Sequence, residues 1–217
     1  MRFVTALLML GLILLVSAPA DAMVLGLDWG LGTSPITINH NGHNMNVWAG
    51  ALHAYLGGTL GNPLPPNDGH YVGDVFCVDL DHEINLPTEY EVDPLSATAL
   101  NNGSRAAWLY STYLPSVTSG SAAAALQIAL WDVVYDNGDG LGQGAFRYVS
   151  GLGAQTTTLA ESIIASSSGQ SADGTYFKVE GPYGQSMLGP VPEANSMLLL
   201  GLGLALCTAG VLVHRRS

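Results

Sequence analysis

The sequence predicts a mixed α+β domain that is exported and followed by one apolar C-terminal helix. Alternating apolar stretches broken by Gly, Asn and Pro run through much of residues 23–95 and return at 175–180. Ala- and Leu-rich stretches with helical spacing occupy 97–113 and 121–134, and a further helical stretch covers 156–166. Each chain end carries an uncharged apolar run with basic residues beside it.

Residues 1–22 read as a secretory signal. Arg2 precedes an uncharged run from Phe3 to Val16, and Ala18-Pro19-Ala20-Asp21-Ala22 offers cleavage after Ala20 or Ala22. The apolar run is shorter than the ~20 residues a membrane span needs. The exported domain is expected over 23–180. Met23 to Leu31 and Ile36 to Ala49 are strand-prone, Trp48 to Leu56 suits a strand or a short helix, and 57–70 is a loop of Gly, Pro and Asn. Tyr71 to Asp81 alternates as a strand, with Val72, Phe76, Val78 and Leu80 on one face and Gly73, Val75, Cys77, Asp79 and Asp81 on the other. This places Cys77 on the more polar face.

Residues 85–95 form an irregular or strand segment, and Ala97 to Tyr113 is helical. A second helix runs from about Ser121 to Val134. Ser119 or Ser121 can cap it, four alanines follow, and Asp136-Asn137-Gly138-Asp139-Gly140 ends it. Leu126, Leu130 and Val133 or Val134 make its buried stripe, with Gln127 and Trp131 four apart on the neighbouring face. A helix at 156–166 and a strand at 175–180 complete the domain, and 181–190 is a linker.

The tail begins with Val191-Pro192-Glu193-Ala194. An uncharged run at 197–213 then reads as a transmembrane helix, closed by His214, Arg215 and Arg216 on the cytoplasmic side. Motif, helix and basic end resemble the PEP-CTERM sorting signal of exopolysaccharide-producing Gram-negative bacteria, although Ala194 stands where that family usually has a second proline. The resemblance implies an exosortase-type membrane protease as partner, with Val191, Pro192, Glu193, Arg215 and Arg216 as the sorting motif. It also implies anchorage in the membrane before processing, and the cell surface or extracellular matrix afterwards.

These ends give the cysteines their meaning. Cys207 falls in the apolar tail, so Cys77 is alone in the exported part. A lone exported cysteine is a small buried hydrophobe, a nucleophile, or a group consumed in a cross-link. Phe76-Cys77-Val78, then Arg105-Ala106-Ala107-Trp108-Leu109-Tyr110, then Leu126-Gln127 with Leu130-Trp131 follow one another in order. This ordered set resembles the Cys–Gln thioester domains of bacterial surface adhesins. The resemblance implies a mixed β-sheet or barrel with packed helices, a Cys77–Gln127 thioester, and supporting packing from Phe76, Trp131 and Trp108. The cross-link would react once with an amine- or hydroxyl-bearing surface polymer or protein, so the chain is expected not to be an enzyme. Asp79, His82 and Asp132 are candidates for moving the protons.

Two other function classes stand beside this one: a non-covalent structural protein of an exopolysaccharide or biofilm matrix, and a cysteine hydrolase using Cys77 with His82 or another histidine. The chain carries 17 acidic against 6 basic side chains. Within 23–190 only Arg105, Arg147 and Lys178 are basic, which excludes nucleic acid as a partner and favours cations. Asp136, Asn137 and Asp139 look like a fragment of a calcium loop, but the remaining EF-hand positions are missing and an Asx-Gly turn explains them as well. Leu86 stands where a zinc-protease helix starting at His82 needs its second histidine. No phosphate loop, nucleophile elbow or cofactor motif is present.

Overall fold

The computed structural model describes residues 23–32, 34–57, 70–84, 86–179 and 184–191. Strands β1 (Met23–Trp29), β4 (Leu52–Leu56), β5 (His70–Cys77), β6 (Thr88–Ser96), β8 (Thr175–Val179) and β9 (Met187–Gly189) close into an antiparallel barrel in the order β1-β4-β5-β9-β8-β6. Strands β2 (Ser34–His40), β3 (His43–Ala49) and β7 (Phe146–Ser150) form a separate sheet in the order β3-β2-β7. Among the described residues there are three α-helices: α1 (Gly103–Tyr113), α2 (Gly120–Asp136) and α3 (Ala154–Ser166). The protein is therefore a mixed α+β fold built on a closed barrel.

Helix α2 is the axis of the helical layer, with α1 and α3 against it and the three-stranded sheet on another side. Every residue from Ala123 to Val134 is buried, so the single apolar stripe expected from the sequence is in fact an all-round burial. The alanines make this possible by letting neighbours approach closely. Entry is fixed by Ser119, whose hydroxyl accepts from the Ala122 N–H at 3.2 Å. The helix stops at Asn137, which takes the left-handed conformation. At its first turn Gly120 meets Gly32, and a Cβ on Gly32 would sit 2.3 Å from the Gly120 Cα.

Several expected boundaries shift. The apolar run 36–49 is two strands, because Asn41 and Gly42 both have positive φ and make a tight hairpin between β2 and β3. The segment around 48–56 resolves as strand. The helix expected over 97–113 breaks into a 3-10 turn at Ala97–Ala99 and α1, with Asn102 left-handed between them. The linker expected at 181–190 ends inside the barrel: Met187–Gly189 pairs with both β5 and β8 and is fully buried. The strand carrying Cys77 ends there rather than at Asp81.

Among the described residues no helix is long and apolar enough to cross a membrane. The signal segment 1–22, the expected span 197–213, Pro192, Glu193, Arg215 and Arg216 lie outside the described residues. Val191 is the last of the described residues and is exposed.

Candidate functional site

Cys77 closes β5, and Gln127 lies one turn before Trp131 in the middle of α2. The last pair between β4 and β5 is Leu52 with Val75. Two residues further on, the Gln127 carboxamide takes the open edge of β5. Its Oε1 accepts from the Cys77 N–H at 3.2 Å, and its Nε2 donates to the Cys77 carbonyl at 2.7 Å. The side chain thus satisfies both polar groups of one buried peptide edge, as a neighbouring strand would. Gln127 is 1% exposed and Cys77 6%.

The polar-face expectation for Cys77 does not hold. Val75 and Cys77 share a face, as the alternation requires, but that face points into the core, while Phe76 on the other face packs against Tyr110 of α1. Both faces are buried at this point because the helices cover one and the barrel interior takes the other. The acidic members of the face, Asp79 and Asp81, lie beyond the strand end.

Burial pushes the Cys77 thiol up to about 12; the nearby Asp79 carboxylate adds to this, while the Asp79 backbone and the Trp131 indole oppose it. The sulfur donates to the Asp79 carbonyl at 3.0 Å. The Trp131 Nε1 is buried without a hydrogen-bond partner, and its ring packs on Phe146 with centroids 5.8 Å apart. A cavity of about 440 Å³ is lined by Cys77, Gln127 and Trp131. Trp29, Trp48, His82, Glu83 and Gln185 are among its other walls. Trp29 and Trp48 are exposed and meet edge to face at 5.9 Å.

The turn after Cys77 is held from three sides. The Leu80 N–H donates to the Tyr135 hydroxyl at 2.8 Å, and Gln185 Nε2 donates to the carbonyls of Asp79 at 3.0 Å and His82 at 2.6 Å. Asp79 Oδ2 pairs with His82 Nδ1 at 2.8 Å, which leaves the other ring nitrogen of His82 outside that pair. Neither of the Cys77 sulfur's hydrogen bonds involves a histidine.

The structure brings together Cys77, Gln127 and Trp131, with Asp79 and His82 beside them, while Phe76 packs on the opposite strand face against Tyr110. Trp108 is elsewhere: its ring contact is Tyr113 on the same helix, and it lines no part of the cavity. Asp132 turns to the loop after α2, where its Oδ2 accepts from Gly140, so it does not serve the sulfur. Burial, with Asp139, Asp136 and Glu161 nearby, lifts its carboxyl to about 7 against the opposing Gly140 hydrogen bond. Of the calcium-loop fragment, Asp136 and Asp139 converge with Asp132. The backbone and side-chain oxygens of Asn137 accept from Arg105. Gln185, Tyr135 and the Trp29–Trp48 pair have no motif that marks them in the sequence.

No protein-family model, no curated protein and no solved structure matches this chain.

Proposed function

We propose that this is an exported surface or matrix protein in which Cys77 and Gln127 form an intramolecular thioester for covalent attachment. The observation that carries the reading is the two-way hydrogen bonding of the Gln127 carboxamide with the Cys77 backbone across 50 residues of chain. In the forming step the Cys77 sulfur attacks the Gln127 side-chain carbon. The Cys77 N–H, already on Oε1, stabilises the oxygen as negative charge develops there. The C–N bond breaks, Nε2 leaves as ammonia with the thiol proton, and the acyl–sulfur bond remains. The folded setting supplies the orientation. An amine or hydroxyl entering the cavity then displaces sulfur, giving an amide or ester from Gln127 and a free Cys77 thiol. The event happens once per molecule, so the protein is not a turnover enzyme.

The PEP-CTERM-like tail supports export, membrane anchorage through 197–213 and handling by an exosortase-type protease. A second reading has its own support. The exposed Trp29–Trp48 pair at the cavity wall suits stacking on sugar rings, as a non-covalent exopolysaccharide or biofilm protein would use it. The cysteine hydrolase reading loses ground, because the thiol is buried, protonated and hydrogen-bonded to a carbonyl rather than to a base. Intact mass separates the thioester reading from the other two: the thioester lowers the mass by about 17 Da and methylamine then adds to Gln127, whereas the non-covalent protein and a hydrolase keep the full mass.

A further inference from the structure

The C-terminal end of α2 carries a second cluster, independent of the Cys77–Gln127 reading. One carboxylate oxygen from each of Asp132, Asp136 and Asp139 lies within 4.8 Å of the others. Oxygens around one calcium ion, each 2.3–2.6 Å from it, are no more than about 5 Å apart, so this spacing fits a single shell. Acidic clusters are common without a cation, but Asp132 is different in kind. It is 0% exposed, it turns into the cluster, and its Oδ1 has no hydrogen-bond partner. A fully buried carboxyl grouped with two further carboxylates, with one of its oxygens unpartnered, is a costly arrangement that a cation would relieve.

The surroundings fit as well. Both Asp136 oxygens accept from backbone amides, of Ala145 at 2.7 Å and Phe146 at 2.6 Å, which fixes the carboxylate and leaves further lone pairs on it. Glu161 holds the same loop through the Leu141 N–H at 3.2 Å. The nearby guanidinium of Arg105 is spent on Asn137, Ser167 and the Ile164 carbonyl rather than on the three carboxylates. The negative end of the α2 dipole points to the same place, and Asp139 is exposed, so an ion can enter from solvent.

We propose that Asp132, Asp136 and Asp139 bind one calcium ion at the C-terminal end of α2, with water completing the shell. The test is calcium titration of the EDTA-treated full chain by calorimetry, with thermal unfolding in parallel. One site is expected, with a rise in the unfolding temperature that saturates with it. Asp139→Asn, on an exposed side chain, is expected to weaken binding at least tenfold while unfolding like the parent in EDTA. Asp132→Asn, which replaces the buried carboxyl of the cluster with an amide of the same shape, is expected to abolish binding without loss of the fold. No heat and no thermal shift up to about 10 mM calcium, beyond the range of extracellular calcium modules, overturns the proposal. So does parent-like binding by both variants.

Discussion

Removing the Gln127 carboxamide in a chain that cannot form the cross-link isolates its structural work. Cys77→Ala keeps the backbone N–H and carbonyl that Gln127 engages and removes the sulfur. Adding Gln127→Ala to it then deletes two buried hydrogen bonds, of 3.2 and 2.7 Å, and leaves both backbone groups without their partner. Orphaning a buried polar group costs about 1–3 kcal/mol, so the pair amounts to roughly 2–4 kcal/mol once partial relaxation is allowed. For a domain of this size that is a fall of roughly 4–16 °C in unfolding temperature. Urea unfolding of the single and double variants, followed by far-UV circular dichroism, measures it. A difference below about 0.5 kcal/mol, the size of an ordinary surface change, refutes the claim that Gln127 acts as the missing strand beside Cys77.

Three further outcomes follow from the same geometry. After methylamine has opened the proposed cross-link, the freed Cys77 thiol, with its pKa near 12, is expected to react with iodoacetamide at pH 8 about a thousandfold more slowly than a free cysteine of pKa about 8.5. Labelling at the free-cysteine rate contradicts that burial. Gln185→Ala removes two of the bonds that hold the Asp79–His82 turn, and faster hydrolysis of the proposed thioester is expected, read as a shorter half-life of the lighter species by mass. In EDTA, Asp132 keeps its proton in the folded state up to about pH 7 but loses it near its ordinary value when unfolded. The folded state thus binds more protons across about pH 4 to 7, and its contribution falls as pH rises through that window. Asp132→Asn should flatten this slope in urea midpoints measured at several pH values.

Helix α2 was legible because its signals are local: Ser119 at the start, alanines behind it, and Asn137-Gly138 at the end. The Asn41-Gly42 hairpin was equally local, a strong turn signal among the Gly and Asn breaks of the strand-prone run 36–49. Strands β7 and β9 were not legible. β9 has three residues, with Gly189 at its end, and owes its place to pairing with β5 and β8, more than a hundred residues apart in sequence. The pairing of Cys77 with Gln127 came from ordered motifs, but the burial of Cys77 could not. Alternation gives which residues share a face, and only the packed helices and the closed barrel decide that both faces are inside. Trp108 shows the converse, a motif residue that the fold directs to Tyr113.

The most direct measurement of the central claim is the intact mass of the full chain purified under native conditions, before and after methylamine. A Cys77–Gln127 thioester gives a mass about 17 Da below that of the same processed chain calculated without the cross-link. Methylamine should then add at Gln127, with a Cys77 thiol that titrates in denaturant only after that treatment. An unmodified mass, no methylamine adduct and a Cys77 thiol already free before treatment contradict it.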